Sequence, residues 1–401
     1  MPGFMPSTQM NVIAPLLILH ASHNIYFRLQ LESTVKIKDL EWADVILLCR
    51  NTEPSQAWFQ DMLQRNKPYI YDIDDNFFEI AGDSPDARYH RSPERLDMFT
   101  QYLRWASLVR VYSEPMRSRV LAINPRVVKV VPPVDFRHIC PRRSSDNRIK
   151  IVYATSRAHD ELFSIFLPAL EKILENYSTK IEVYFLGFTP PSLRKHPRVH
   201  SVPMIWDYPA YLRNFSSAGY DIGLAPLLDD VFHRSKTNNK FREYGACQVA
   251  GIYSNVDVYA SCVQQYETGI LVANRTEDWY DALVLLIENP ALRQKIQSAA
   301  YEFVRKNYSQ DEFVKNWLSQ IKDIAEVQRR NHQVIAIAQD EAVKKANKGG
   351  LIERLFDKFS RSEGWVSFFS LLTHITRQRI VTLFLFWKYQ IVIAGFKFFK
   401  H

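Results

Sequence analysis

DIGLAPLLDDVFHRSKTNNKFREY, residues 221–244, joins an apolar β-type run to a loop carrying Arg234, Lys236 and Lys240, and then to a helical stretch that contains Glu243. A strand end that delivers cationic side chains and helix N–H groups to one place can hold a diphosphate. Such a stretch belongs at the carboxyl edge of an open parallel sheet. Around it, IKIVYAT (149–155), IEVYFLG (181–187), RVHSVP (198–203), AGIYS (250–254) and GILVA (269–273) read as further strands. Helical patterns at 160–177, 276–288, 290–308 and 310–330 alternate with and close this series, with a break at Asn289–Pro290. Toward the N-terminus, VIAPLLILH (12–20), DVILLCR (44–50), PYIYDID (68–74), LVRVYS (108–113) and VVKVVP (127–132) read as strands between amphipathic stretches 55–65 and 93–105. The polar segment CPRRSSDNR (140–148) separates the two series. The expectation is an α/β chain of two Rossmann-like, doubly wound domains facing a cleft, 1–140 and 141–330, followed by a helical tail, 331–401.

Composition agrees with two cores. A chain of 401 residues exceeds one ordinary core and suits two domains of about 150 to 200 residues plus an appendage. Apolar residues at 47 % and charged residues at 23 % exclude general disorder and a polytopic membrane protein. Cys49, Cys140, Cys247 and Cys262 are far apart, with no CxxC pair and no secretory signal ahead of them, which argues for a reducing cytosol and against a zinc site or disulfide framework. The net charge of +8 favours an anionic partner. Nucleic acid is not that partner, because the basic residues fall at strand ends and in the tail without a reading motif.

Ligands of open α/β sheets sit beyond the carboxyl ends of the strands. DIDDNFFEI places Asp72, Asp74 and Asp75 after one strand. Clustered carboxylates either cap the next helix as a solvated turn or serve chemistry, a magnesium site being the weaker alternative, and were the reaction to need a general base, Asp74 or Asp75 is the first candidate. His90 is a lesser one. After IKIVYA, the residues Thr155, Ser156 and Arg157 precede a helix: hydroxyls and backbone N–H groups there suit phosphate and Arg157 can add a bidentate contact, while an ordinary N-cap with a surface Arg explains them equally well. Lys236 and Lys240 repel each other unless an anion lies between them, and Glu243 can accept from a ribose; a solvated basic face is the competing account. His20 and His23 read as packing or capping residues. No glycine-rich dinucleotide fingerprint follows the first strand.

Taken in order, WADVILLCR (42–50), YDIDDNFFEI (71–80), ASLVRVYSEPM (106–116), VVKVVPPVD (127–135), IVYATSRAHD (151–160), the 221–254 stretch and YETGILVANRTEDWYDALVLLIENPALRQKI (266–296) resemble the GT-B-fold glycosyltransferases often called group 1, in particular the branch of bacterial O-antigen and surface-polysaccharide clusters. The resemblance covers about residues 12–330. It implies a nucleotide-diphosphate sugar donor held mainly by the second domain, a glycan or lipid-linked acceptor on the first, retaining transfer in the cleft, and no metal or other cofactor. Asp74, Asp75, Arg157 and Lys240 become the catalytic candidates; Thr155, Ser156, Lys236, Thr237 and Glu243 become donor-binding ones. Glu243 matches the second glutamate of the family's paired motif, and Ser235 stands where the first is expected. His233 departs from the branch's frequent asparagine, and Ala154-Thr155 lacks the usual glycine. A GT-B scaffold without activity, serving as a glycan-binding module, and a nucleotide-sugar epimerase are the rival readings.

The tail lies outside the resemblance. LIERLFDKFSR (351–361) puts Leu351, Leu355 and Phe359 on one face, and the basic and aromatic run that follows suits a membrane surface. The apolar run 380–396 approaches spanning length, although Lys388 in its middle is costly there. The expected location is the cytoplasm, peripheral to the inner membrane through 351–401.

Overall fold

The computed structural model describes residues 4–50, 53–80, 82–142, 148–155, 160–327 and 392–398. One compact unit, residues 1–318 with 391–401, carries two six-stranded sheets. The first contains β1 (Ile25–Leu31), β2 (Val45–Cys49), β3 (Tyr69–Ile73), β4 (Leu108–Val111) and β5 (Val127–Lys129). The second contains β6 (Ile149–Thr155), β7 (Ile181–Gly187), β8 (Val199–Val202), β9 (Ile222–Ala225), β10 (Ala250–Ser254) and β11 (Ile270–Val272). A late strand, β12 (Val392–Phe398), joins the first sheet. Spatial order is β1-β12-β2-β3-β4-β5 in the first and β11-β10-β9-β6-β7-β8 in the second.

The second sheet is parallel throughout, and helices cover both faces, as parallel sheets require. Period-two alternation along β6 sorts its side chains between the two layers. Ile151 and Tyr153 pack with Phe166, Trp279 and Leu286, whereas Val152 and Ala154 pack with Phe215, Tyr244 and Val304. Gly245 lets the helix Asn239–Ala246 lie tightly on the helix Pro290–Asn307: a Cβ there would meet Val304 Cγ2 at 2.6 Å. In the first sheet β2 to β5 are parallel. Ile46, Leu48, Tyr69, Tyr71 and Val109 face a core with Phe59, Phe99 and Tyr102. The other face carries the buried pair Asp72–Arg110, 3.0 Å apart, and Arg110 stacks 3.5 Å from the Trp317 ring.

Two segments depart from expectation. Residues 12–20 are helical: a π-helical turn, Gln9–Ile13, runs into the α-helix Ala14–His23, which ends at Asn24 in the left-handed conformation. Met10, Val12, Ile13, Leu16 and Leu19 are buried while Leu17 is exposed, a one-sided stripe that a short apolar run hides when read only for hydrophobicity. His20 and His23 therefore precede β1, with His20 Nδ1 3.0 Å from the Ile25 carbonyl. The second departure is in the tail. Residues 392–398, expected to be helical, form β12, antiparallel to β1 on one side and β2 on the other. Between two strands the backbone groups of β12 find ladder partners on both edges. Residues 331–391 of the expected tail lie outside the described residues. Residues 319–327 are helical, and among the described residues no helix is long and apolar enough to cross a membrane.

Candidate functional site

A cavity of about 500 Å³ lies where the carboxyl ends of the strands of both sheets meet. From the first domain come Arg50, directly after β2, and Asp74 and Asp75, directly after β3. The second domain contributes Thr155 at the end of β6, Trp206 and Tyr208 after β8, and the Lys236–Glu243 segment. Met5, Pro6, Ser7 and Asn11 of the N-terminal segment complete the lining.

The 221–244 stretch behaves locally as its residue types dictate. Asp230 caps the short helix Val231–Arg234, accepting from His233 N–H, and its other oxygen lies 2.7 Å from His233 Nδ1. Burial opposes the Asp230 charge, and these His233 contacts outweigh it, so its pKa falls below the ordinary value. After this helix the chain turns through Ser235, Lys236 and Thr237 into Asn239–Ala246. Lys236 reaches back to Asp75, and its ammonium sits 4.0 Å over the Phe232 ring. Thr237 Oγ1 donates to Asn239 Oδ1 at 2.7 Å. Lys240 pairs with Glu243 at 3.0 Å.

Glu243 is buried and also accepts from Tyr211 at 3.1 Å and from Tyr208 at 3.4 Å. Burial, and then the Glu243 charge itself, push both phenols well above their usual pKa, so at neutral pH they remain donors to the carboxylate. On the facing wall Arg50 lies 3.0 Å from Asp74 and 3.6 Å from Asp75. Four charged groups thus alternate in sign across the cleft: Asp74, Arg50, Asp75 and Lys236. An entering anion competes with Asp75 for Lys236.

Of the residues singled out in the sequence, Asp74, Asp75, Thr155, Lys236, Thr237, Lys240 and Glu243 all line this one cavity. Ser156 and Arg157 lie outside the described residues. Asp72 does not line it: its carboxylate lies on the sheet face opposite Tyr71, bound by Arg110 and by Tyr112 O–H at 2.7 Å. His90 is buried against Phe77, ring centroids 5.3 Å apart, away from the lining. Ser235, where the resemblance leads one to expect a glutamate, is buried; its hydroxyl donates to the Val231 carbonyl and accepts from Asn76 Nδ2 at 3.1 Å. Among the described residues no group of three acidic, His or Cys side chains is placed to hold a metal ion.

Sequence reasoning missed Arg50, Asn11, Tyr208 and Tyr211. Arg50 follows VILLC directly, so the strand-end rule was sufficient to find it. Tyr208 and Tyr211 are three apart on the helix Tyr208–Ser217, which places both on one face. Asn11 was hidden by the strand reading of 12–20.

Two α/β domains enclosing a cleft between strand ends define the architecture as GT-B. In structure the chain is similar to Anabaena HepE in complex with UDP-glucose, at 12 % identity over 69 % of this chain and 78 % of that one, TM-score 0.52. It is likewise similar to sucrose-phosphate synthase from Thermosynechococcus elongatus, at 14 % identity over 78 % and 77 %, TM-score 0.54, and to a mutant of S. aureus TarM in complex with fondaparinux, α-GlcNAc-glycerol and UDP, at 12 % identity over 65 % and 52 %, TM-score 0.51. At these identities the likeness is one of fold. No protein-family model and no curated protein matches the sequence.

Proposed function

We propose that the chain is a glycosyltransferase that moves a sugar from a nucleotide-diphosphate donor to a glycan or lipid-linked acceptor, with retention at the sugar carbon. The observation that carries this reading is the gathering of Lys236, Lys240 and Glu243 at one strand end, opposite Asp74 and Asp75, around a cavity of about 500 Å³. HepE and TarM, similar in fold, were solved with UDP-glucose and UDP, which supports a nucleotide sugar as the donor. In this reading the second domain, 141–330, holds the donor. Lys236 and Lys240, with Arg157 after β6, balance the charge that develops on the leaving diphosphate. Thr155, Ser156 and Thr237 supply hydroxyl donors to phosphate, and Glu243 accepts from the ribose. The first domain, 1–140, holds the acceptor beside Asp74 and Asp75, and the leaving phosphate takes the proton of the attacking hydroxyl. The basic, aromatic tail supports work at the cytoplasmic face of the inner membrane on a growing surface polysaccharide such as an O-antigen.

A scaffold without activity is favoured by one observation only: Ser235 serves as a contact to Asn76 and supplies no carboxylate. Thermal-shift titration with nucleoside diphosphates and their sugars separates the two, because a ligand bound by the folded state alone raises the melting temperature by mass action. We expect a rise with one nucleotide family and its loss in Lys240→Ala and Glu243→Ala, each variant remaining folded. If no nucleotide moves the wild-type transition, the inactive-scaffold reading prevails; if both variants respond as the wild type does, the site assignment is wrong.

A further inference from the structure

The N-terminal segment crosses the cleft and is fastened at both sides. Its π-helical turn, Gln9–Ile13, has a geometry that is rare in proteins and concentrated at functional positions. Gln9 Nε2 donates to the Trp206 carbonyl at 2.8 Å, and its Oε1 accepts from Tyr208 N–H at 2.9 Å. The carbonyl of Asn11 accepts from Trp317 Nε1 at 3.0 Å. The backbone of the turn is thus held, while the carboxamide of Asn11 bonds to no described residue. Asn11 is 3 % exposed, its Oδ1 is buried without a hydrogen-bond partner, and it lines the cavity. Asp74 shares this condition: one oxygen meets Arg50 and the other, Oδ1, is buried without a partner. Arg50 also donates to Ser7 Oγ at 3.3 Å, so the N-terminal segment and the Asp74 loop converge on one guanidinium.

Native proteins seldom leave buried polar atoms unpaired, and two on the wall of one cavity indicate groups that a ligand completes. Their chemistry selects the ligand. Asp74 Oδ1 accepts and the Asn11 carboxamide both accepts and donates, a match for hydroxyls, which do both. A phosphate would be repelled by Asp74, and a cation would meet Arg50. We propose that Asn11 and Asp74 form a hydroxyl-binding subsite for a sugar ring, either the sugar carried by the donor or that of the acceptor. The inference rests on the reading of this cleft as a sugar-transfer site and assigns Asn11 a role in it.

The full chain and its Asn11→Leu variant are titrated with UDP, UDP-glucose, GDP, GDP-mannose and the methyl α-glycosides of glucose, galactose, mannose and N-acetylglucosamine. Leucine fills nearly the same space and removes both polar atoms. Expected is at least a tenfold loss of affinity for a nucleotide sugar or a methyl glycoside, with nucleoside diphosphate affinity within twofold of wild type and a melting temperature equal to or above it. A loss confined to the nucleotide sugars assigns the donor ring, and one confined to the methyl glycosides assigns the acceptor ring. Sugar affinities unchanged within twofold overturn the subsite, as does a lowered melting temperature with all ligands weakened together. Should the leucine variant fail to fold, Asn11→Ala, which removes both polar atoms without adding bulk or charge, is judged by the same affinity thresholds. Wild-type protein that binds a nucleoside diphosphate, gains nothing from the attached sugar and binds no glycoside defeats the subsite but leaves the donor reading standing. Asn11-dependent glycoside binding without nucleotide binding does the reverse.

Discussion

At the scale of single residues, the same run of carboxylates divides between structure and the cleft. Asp72 points into the first domain, where burial pushes its pKa up to about 6 against the pull of Arg110 and the Tyr112 hydroxyl. The folded chain keeps that proton between about pH 4 and pH 6, where the unfolded chain has released it, so this group's contribution to stability falls as pH rises through the window. Above it the ion pair with Arg110 has to hold the charge. Arg110→Leu should therefore destabilise the chain by about 3–5 kcal/mol at pH 7.5, the usual consequence of a buried charge left unpaired, and by clearly less at pH 5, where Asp72 can be neutral. Urea unfolding at both pH values tests this; an equal loss at the two would detach the effect from Asp72. The sequence showed three carboxylates in four residues and could not say which faced inward. Period two along β3 puts Asp72 on the face opposite Tyr71, but whether a given face holds core or cleft depends on what packs against it.

At the scale of elements, the second domain was almost fully legible and the ends of the chain were not. IEVYFLG and AGIYS coincide with β7 and β10, and the predicted helix 276–288 with Thr276–Glu288, because buried parallel strands are continuous apolar runs and a helix such as Thr276–Glu288 keeps a one-sided pattern. β12 left no such mark, since its partners lie more than 340 residues away in sequence. It is an interior strand, and proline there removes a ladder hydrogen bond. Ala394→Pro should lower the denaturation midpoint and speed amide exchange at Ile46, Leu47 and Leu48 of β2, read by hydrogen–deuterium exchange. An unchanged midpoint with unchanged exchange would take β12 out of the sheet.

At the scale of the whole molecule, the domains are joined by contacts that also build the cleft. Asn76 meets Ser235 and Asp75 meets Lys236 across it. Behind it the buried guanidinium of Arg242 donates to the carbonyls of Pro132 and Pro133 at 3.1 and 2.9 Å, fixing the helix Asn239–Ala246 to the segment between the sheets. Asp75 occupies Lys236, so on the proposed reading a diphosphate has to displace it. Asp75→Ala should then tighten nucleoside diphosphate binding two- to tenfold in calorimetric titration, with the gain shrinking as salt rises. Unchanged or weaker binding would show that Lys236 does not receive the phosphate.

The sequence by itself determined that the chain builds two parallel-sheet domains and that cations gather at the carboxyl end of one strand, since hydrophobic period and strand-end position are local properties. Tertiary structure alone decided that residues 12–20 are helical and that the segment before them, through Asn11, lines the cleft, that 392–398 pair with strands at the other end of the chain, and that Asp72 pairs with Arg110 outside the cavity that Asp74 and Asp75 line. Each of these depends on a partner distant in sequence. An apolar or charged residue type records how strongly a position avoids or seeks water, and only packing supplies the surface against which that preference is satisfied.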